Sequence, residues 1–309
     1  MVDTVVVTGG AGFIGSHLVD AVLARGQHAV VVDDLSSGKA DNVAGEADLE
    51  VVDIVDAAAL NVVIDAAAPT AIFHLAAQAS VTASVTDPVR DAAVNVIGTL
   101  NVLEAAKRHG SPVVFTSTGG ALYGDAAPRP TPETFPPAPL SPYGASKWAA
   151  EAYVRTWANA TRIGHTVCRL ANVYGPRQSP HGEAGVVSIL SNLLWQGKPP
   201  TLYGRGRPTR DYIHVADVVA ALLAARSVND VFNVATGREA AVSEIFRLLA
   251  QASGASAQPH LAPLRPGELE RSCLDPSHAQ RRLGWRAQIS LEEGVPATYR
   301  ELVAAFSAA

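Results

Sequence analysis

Short apolar runs alternate with longer segments of helical periodicity in the N-terminal part of the chain. Runs rich in Val, Ile and Leu are typical of strands that are buried on both faces of a parallel sheet. We predict strands at Thr4–Val7, His28–Val32, Leu49–Val52, Ala71–Leu75, Pro112–Thr116 and His165–Leu170. We predict helices over about Gly12–Arg25, Pro88–Arg108 and Pro142–Ala160. The alternation predicts an α/β fold with a Rossmann-type, doubly wound parallel sheet.

The pattern changes after about Asn172, where Pro and Gly become frequent and the apolar runs shorten. Three segments are predicted to be binding loops rather than core: residues 176–185, 197–210 and 260–270. We predict a first domain, of Rossmann type, over residues 1–171 and a smaller α/β substrate-binding lobe, mainly over residues 172–309. The run Val231–Val234 is expected to return to the main sheet, and a helix near Leu291–Phe306 to pack back on the body.

Composition and charge exclude several classes of protein. The formal net charge of −5 indicates neither a nucleic-acid-binding surface nor a membrane-binding one, and no apolar run is long enough to cross a bilayer. The two cysteines, Cys168 and Cys273, lie far apart and lack metal-ligand spacing, so we expect no metal site and no disulfide framework. The first residues contain no basic leader, and reduced thiols favour a cytoplasmic location.

The first predicted strand leads into a glycine-rich segment, GGAGFIG at residues 9–15, which opens the first helix. Glycines let the backbone turn tightly and approach a pyrophosphate, and the N-terminus of the helix attracts the negative charge. Glycine triplets also occur in plain turns, but this one lies directly between a strand and a helix. The predicted cofactor contacts are Gly9, Gly12, Phe13, Ile14 and Gly15.

An acidic residue at the end of the second strand bears on the type of dinucleotide. Asp33, followed by Asp34, stands where a carboxylate can accept both ribose hydroxyls of the adenosine half. The same carboxylate would repel a 2′-phosphate, and no arginine follows directly to bind one. The alternative is a pair of solvated loop acids, but the position favours NAD over NADP.

The carboxyl ends of two further strands carry candidate cofactor contacts, because open α/β sheets bind ligands at that edge. The residues after the third and fourth strands are Asp53, Ile54, Leu75, Ala76, Ala77 and Gln78. Small residues there permit close approach of a cofactor, and they are equally suited to packing.

The strongest chemical signal is the segment SPYGASK at residues 141–147. Tyr143 and Lys147 are spaced i, i+4, so one face of a helix presents both. Thr118 follows the fifth strand and is expected to reach the same place, where it would orient a reacting hydroxyl. Tyrosine titrates near pH ~10, so a tyrosine base needs its pKa lowered by roughly three units. The ammonium of Lys147 and a positive nicotinamide ring together can supply that shift.

These residues resemble the extended short-chain dehydrogenase/reductase superfamily, and within it the nucleotide-sugar 4-epimerases that act on UDP-glucose. The segments that carry the resemblance occur in order over nearly the whole chain: TGGAGFIGSH, HLAAQASV, NVIGTLNVLEAA, SPYGASK, RLANVYGPRQ, RDYIHVADVV and LDPSHAQRRLGW. The resemblance implies a Rossmann fold, a tightly held NAD and a UDP-sugar substrate.

Further residue roles follow from this resemblance. It implies that Asp53 and Ile54 contact the adenine, and that Asn95 supports the site from its helix. The residues implied to meet the substrate are Asn172, Arg210, Arg265 and Ser272. The two guanidiniums suit a diphosphate because they donate in forks, although either could instead pair with a neighbouring acid. After the fifth strand this chain has an extra glycine that many relatives lack. Ser117 therefore remains the alternative to Thr118 as the hydroxyl that bonds the reacting group.

The resemblance also separates related reactions. The 4,6-dehydratases carry an Asp-Glu pair just after the active threonine, because elimination of water needs an extra acid and base. Here Gly119-Gly120 stand there, and the glutamate typical of the sugar-acid decarboxylases is absent as well. The prediction is therefore interconversion of UDP-glucose and UDP-galactose through a transient 4-keto sugar.

Alternatives remain for the sugar and for the class of protein. The resemblance disfavours UDP-glucuronate, because the epimerases that act on it tend to have a cation where this chain has Ser179, although Arg177 could serve. It also implies that Ser272 stands at the position that limits the substituent at C2 of the sugar; since serine is small, a UDP-N-acetylhexosamine is a further candidate. A non-catalytic NAD-binding protein is the remote alternative. The family also commonly forms homodimers through the two long helices, with Val94, Leu100, Trp148 and Tyr153 as candidate contacts or as intramolecular core.

Overall fold

The computed structural model describes residues 3–181, 185–256, 258–265 and 269–308. The strands are β1 Thr4–Thr8, β2 His28–Asp33, β3 Asp48–Val51, β4 Ala71–His74, β5 Val113–Thr118, β6 Thr166–Leu170, β7 Asn172–Tyr174, β8 Thr201–Leu202, β9 Thr209–His214, β10 Val231–Val234, β11 Glu239–Ala241 and β12 His260–Leu261. The α-helices are α1 Phe13–Leu23, α2 Ala57–Ala67, α3 Val81–Thr86, α4 Pro88–Ala92, α5 Thr99–His109, α6 Pro142–Thr161, α7 Val186–Trp195, α8 Val215–Ala224, α9 Val242–Ser253, α10 Ser277–Leu283 and α11 Leu291–Ala308.

In the described part of the chain the main sheet has seven strands in the order β10-β6-β5-β4-β1-β2-β3. Strand β1 pairs in parallel with β2 on one side and with β4 on the other, so the strand order reverses direction beside β1. This is the switch point at which doubly wound sheets bind ligands. The predicted Rossmann-type sheet is confirmed, and β10 is its outermost strand beside β6.

The central strands form because their apolar runs are buried from both faces. Val5, Val6 and Val7 of β1 are fully buried, and Phe115 of β5 lies in the same core cluster as Val6. Helix α6 begins where the sequence provides a cap and a helix-compatible proline: Ser141 Oγ accepts the Gly144 N–H at 3.2 Å, and Pro142 takes the first position.

The long helix predicted over Pro88–Arg108 is interrupted by a π-helical turn at Ala93–Gly98, between α4 and α5. A π turn widens the helix and rotates the residues that follow. Its packing partner is Ile54, since a Cβ on Gly98 would lie 2.6 Å from Ile54 Cδ1. The apolar periodicity of the sequence does not reveal such a turn. A π turn adds only one residue to the helix, so the apolar face of the whole segment is still recognisable.

The chain folds into two compact units. The first comprises the described residues up to Leu122, together with Pro137–Arg169 and Val219–Phe232. The second comprises Tyr123–Pro136, Leu170–Val218 and the described residues from Asn233 onward. Neither unit is one continuous stretch, and the functional division at residue 171 stays a prediction.

The second unit has its own core and a smaller sheet in the order β11-β9-β7. Helices α7, α9 and α11 pack on one another, with Leu190, Leu249 and Val295 buried among them. Two segments predicted to be loops also contribute short strands: Thr201–Leu202 pairs in parallel with His260–Leu261. Tertiary pairing stabilises strands that are too short to produce a periodic signal.

Two searches of the described residues give negative results. No helix there combines the length and the apolar character needed to span a membrane. No group of three or more His, Cys, Asp or Glu side chains in the same residues could hold a metal ion.

Buried His165 should make the protein less stable as the pH falls. Its Nδ1 accepts the Val113 N–H at 3.0 Å, and burial lowers the pKa of the ring to about 4. In the unfolded chain the same ring binds a proton near pH 6.5, so only the unfolded state gains a proton between pH 6.5 and 4. The stability that the neutral ring contributes to the folded state is therefore complete above pH 6.5 and is lost at about 1.4 kcal/mol per pH unit toward pH 4.

Urea unfolding at several pH values would measure this effect against His165→Asn, whose Oδ1 can accept the same N–H. The variant should show a shallower dependence of unfolding free energy on pH between 6.5 and 4.5. Equal slopes for the two proteins would contradict the assignment.

Candidate active site

The glycine loop between β1 and α1 is packed so closely that side chains are excluded. Gly9 has φ +72°, and a Cβ added there would lie 2.6 Å from the Ala76 nitrogen. A Cβ on Gly15 would lie 2.1 Å from the Gly9 oxygen. Gly12 precedes α1 without a side-chain cap, so the helix N-terminus keeps backbone donors for an anion. This cradle of bare backbone fits the pyrophosphate of NAD.

The carboxylate of Asp33 binds the glycine loop. Its Oδ2 accepts the Ala11 N–H at 3.0 Å, and its Oδ1 accepts the Leu35 N–H at 2.9 Å. The side chain is 7% exposed, and burial raises its pKa. Asp33 thus lies at the end of β2 beside the loop, which is where an adenosine ribose would have to be recognised.

The residues that follow β3 and β4 lie along the same edge of the sheet. The Leu75 and Ala76 N–H groups both donate to the Thr8 oxygen at 3.0 Å, which brings them against the glycine loop. Asp53 Oδ1 accepts the Val55 N–H at 2.9 Å. Ile54 is buried in the core of the first unit, so an adenine contact through it stays a prediction. Phe13, Ile14 and Ala77 are half-buried.

Gly15→Ala should reduce the affinity for NAD at least tenfold, about 1.4 kcal/mol. The added methyl group cannot be accommodated at 2.1 Å from a backbone oxygen, so the loop has to open. Calorimetric titration of NAD into apoprotein would measure the loss. The control is Gly45→Ala, where an added Cβ meets nothing within 4 Å. Equal NAD affinity in both variants would contradict the predicted cradle.

A buried polar network connects β4 with the π turn and with α6. Asn95 Oδ1 accepts the Gln78 N–H at 2.9 Å, and Asn95 Nδ2 donates to the Gln78 oxygen at 3.0 Å. The same nitrogen lies 3.0 Å from Ser146 Oγ and 3.2 Å from Asp91 Oδ1. The π turn therefore aims Asn95 at the helix that carries Tyr143.

The structure brings the predicted catalytic residues together within the first unit. Thr118 forms a side-chain hydrogen bond with Tyr143, and its Oγ1 also accepts the Ala121 N–H at 3.2 Å. Close packing holds this arrangement, since a Cβ on Gly144 would lie 2.4 Å from the Ala121 oxygen. Ser117 Oγ is buried and has no hydrogen-bond partner among the described residues. The geometry thus favours Thr118 over Ser117 as the hydroxyl partner.

Burial dominates the electrostatics of the catalytic pair. It raises the pKa of Tyr143 to about 12; the Thr118 hydrogen bond opposes this shift and the charge of Asp91 adds to it. Burial also lowers the pKa of Lys147 to about 7, although the carboxylates of Glu151 and Asp91 raise it. Lys147 Nζ lies 4.1 Å from the centre of the Phe115 ring. The polypeptide without its cofactor therefore does not lower the pKa of Tyr143. The lowering expected from the sequence requires the positive nicotinamide ring in addition to Lys147.

The predicted substrate residues lie in the second unit. Asn172 is exposed on β7 and pairs with Tyr212 of β9. Arg210 follows on β9, where its Nη1 donates to the Thr209 oxygen at 2.8 Å. The Ser272 N–H donates to that same oxygen at 3.1 Å, so Arg210 and Ser272 are neighbours.

Arg265 contacts an aromatic ring of the second unit. Its guanidinium stacks 3.8 Å from the centre of the Tyr203 ring, on the turn that precedes β9. The rest of its RPGE motif falls outside the described residues.

Sequence reasoning missed Asp91 and Ser146, the two partners that complete the Asn95 network. Asp91 is four residues before Asn95 on the same helical segment, and that spacing was the available signal. Ser146 lies within SPYGASK, but its inward orientation is visible only in the structure.

Comparison with known proteins places this arrangement among nucleotide-sugar enzymes. The family model described as GDP-mannose 4,6 dehydratase matches residues 6–298. A curated UDP-glucose 4-epimerase of Mycolicibacterium smegmatis is 46% identical over 301 residues, which cover 94% of this chain and 96% of that protein.

Two solved structures share the fold over nearly their whole length. The UDP-glucose 4-epimerase of Thermotoga maritima with UDP-glucose has a TM-score of 0.96 at 43% identity, covering 98% of this chain and 99% of that chain. The enzyme of the same name from Thermus thermophilus, in complex with NAD, has a TM-score of 0.90 at 43% identity, covering 97% and 98%.

Proposed function

Because the chain belongs to the NAD-dependent epimerase/dehydratase family of the extended short-chain dehydrogenases/reductases, we propose that it is a UDP-sugar 4-epimerase that interconverts UDP-glucose and UDP-galactose. The observation that carries this proposal is the hydrogen bond between Thr118 and Tyr143, with Lys147 one helical turn further along α6. The enzyme is thus an isomerase with NAD as its cofactor.

Each proposed catalytic residue has a defined task. NAD, when bound, supplies a hydride acceptor and a positively charged ring. Tyr143 removes the proton of the sugar 4-hydroxyl and later returns it, while Thr118 orients that hydroxyl. Lys147 stabilises the phenolate by its charge, and the glycine loop with Asp33 holds the dinucleotide. This division of roles needs no further acid or base.

Epimerisation is favoured over dehydration although the matching family model is described by a dehydratase. After Thr118 the chain has Gly119 and Gly120, neither of which can transfer a proton. A dehydratase needs an acid and a base at this point to remove water. The small residues leave reversible oxidation at C4 as the chemistry that the site can perform.

The test is direct conversion. Purified protein incubated with UDP-galactose should form UDP-glucose until equilibrium, as separated by ion-exchange chromatography. Equal amounts of Tyr143→Phe protein serve as the control for a contaminating enzyme. Absence of interconversion in protein shown to contain NAD would refute the proposal.

The identity of the sugar needs the same assay on a panel of substrates. UDP-glucose, UDP-glucuronate and UDP-N-acetylglucosamine differ at C6 and C2, and Ser272 is the residue proposed to limit the C2 substituent. Asn172, Arg210 and Arg265 are proposed to bind the diphosphate. A protein that binds NAD but converts no member of the panel would support the non-catalytic alternative.

We further propose a cytoplasmic homodimer. The two cysteines are unpaired thiols, as expected in a reducing compartment. Large apolar side chains are exposed on neighbouring helices of the first unit, among them Val89, Trp148 and Tyr153. Of the other candidate contacts, Val94 packs against the core and Leu100 is half-buried.

Trp148→Glu should convert the dimer to a monomer, because a charge would then lie in the apolar interface. Trp148 is 45% exposed in the chain, so the change should leave its fold intact. Sedimentation velocity on both proteins would measure the effect. A wild-type protein that sediments as a monomer would contradict the proposed assembly.

A further inference from the structure

Asp91 is a buried carboxylate that the proposed mechanism does not use. It lies on α4 and is 1% exposed. Its Oδ1 accepts hydrogen bonds from Gln78 Nε2 at 2.7 Å and from Asn95 Nδ2 at 3.2 Å. Its Oδ2 is buried and has no hydrogen-bond partner among the residues that the structure describes. A carboxylate buried in this way is costly unless a positive charge nearby offsets it.

The hydrogen bonds of Asp91 lead to the catalytic helix. Asn95 Nδ2, which contacts Asp91, also donates to Ser146 Oγ at 3.0 Å. Ser146 Oγ in turn donates to the Tyr143 carbonyl oxygen at 3.0 Å. Because Ser146 directly precedes Lys147, two side chains connect Asp91 to the backbone that carries both proposed catalytic residues.

Two carboxylates raise the pKa of Lys147. The larger effect comes from Glu151, on the same helix, which also forms a buried ion pair with Arg169 at 2.7 Å, and the smaller comes from Asp91. His74, on β4, is bonded through both ring nitrogens to hydroxyl groups, and burial lowers its pKa to about 3, so the ring is neutral. Of these two carboxylates, Asp91 is the one linked to the start of α6 through the side chains of Asn95 and Ser146.

We propose that Asp91 is a positioning residue of the active site: it holds the start of α6 through Asn95 and Ser146, and its carboxylate adds to the negative charge that favours the ammonium of Lys147. This inference rests on the proposed function, because a proton-transferring Tyr143 is what requires that charge. Asp91 acts through Lys147 and Asn95, and no contact with substrate is assigned to it.

The sign of the expected pH effect follows from the two catalytic groups. The Asp91 charge raises the pKa of Lys147 and also that of Tyr143. Removing it should therefore lower both values. Activity needs Tyr143 deprotonated and Lys147 protonated, so both limbs of the pH profile should move to lower pH. A residue with a merely structural role would reduce activity without moving either limb.

The test variant is Asp91→Asn, which keeps the shape of the side chain and removes the charge. The chain has four lysines, so the ¹³Cε signal of Lys147 can be assigned by comparison with Lys147→Arg. We expect its titration midpoint in the full-length protein to fall, because a charge that favours the ammonium is removed. The profile of kcat/KM should shift in the same direction. Asp91→Ser, which leaves room for water, supplies a second neutral variant if Asp91→Asn does not fold.

Two control variants distinguish the loss of the Asp91 charge from the loss of the hydrogen-bonded link to α6. Ser146→Ala breaks the link to α6 but keeps the carboxylate, so the Lys147 midpoint should not move. Asp91→Glu should restore a midpoint close to that of the wild type. An unchanged midpoint in the neutral Asp91 variants would overturn the proposal. Because the nuclear magnetic resonance titration needs no turnover, it remains informative even if the wild-type protein fails to epimerise UDP-sugars.

Discussion

Replacing Tyr143 with phenylalanine should reduce turnover at least a hundredfold, the ordinary contribution of a positioned general base. The variant keeps the ring and removes the hydroxyl that bonds Thr118. No other phenol is proposed to reach the sugar, so the 4-hydroxyl loses its proton acceptor. The fold should be retained, because the ring still fills its half-buried position on α6.

Initial rates of UDP-galactose conversion would measure this loss, with bound NAD quantified after denaturation. Tyr299→Phe is the matched control, because it removes a phenol hydroxyl that bonds Ser253 in the second unit. Its turnover should stay near that of the wild type. Near-normal activity in Tyr143→Phe would refute the assigned role, whereas loss of NAD from that variant would mean that the defect lies in binding.

Glu151→Gln should lower the free energy of unfolding by about 3–5 kcal/mol. Glu151 and Arg169 have side chains that are 2% and 5% exposed, and the Arg169 Nε–H lies 3.1 Å from each carboxylate oxygen. A neutral amide removes the carboxylate charge that faces the buried guanidinium, and removing one partner of a buried pair is strongly destabilising. Burial of the pair, rather than ion pairing as such, makes the effect large.

Urea unfolding of the variant, fitted with a common slope, would measure the change. The control is Glu244→Gln, which removes the carboxylate from an exposed pair with Arg238 and should change stability by less than about 1 kcal/mol. The double variant Glu151→Leu/Arg169→Met should recover part of the loss, because both charges of this pair are then removed. Equal effects of the buried and the exposed substitution would contradict the argument.

Much of the architecture could be predicted because local sequence dictates it. The valines of β1, the glycines that follow and the helix behind them are contiguous, and their spacing alone indicates a dinucleotide loop. Tyr143 and Lys147 lie one helical turn apart, so any α-helix places them on one face. These are short-range relations, which periodicity and steric rules describe well.

Other features depended on contacts between residues distant in sequence. The π turn at Ala93–Gly98 directs Asn95 toward Gln78 and Ser146, and nothing in the apolar pattern marks that turn. The burial that raises the pKa of Tyr143 and lowers that of Lys147 likewise arises from the assembled core.

The sequence by itself determined the alternation of the main strands with helices, the glycine loop, and the identity of the groups that can move a proton. The tertiary structure decided which hydroxyl bonds Tyr143 and linked Asp91 to α6 through Asn95 and Ser146. The physical reason is that backbone preferences act over a few residues, whereas desolvation and electrostatic interaction depend on every group that folding brings near.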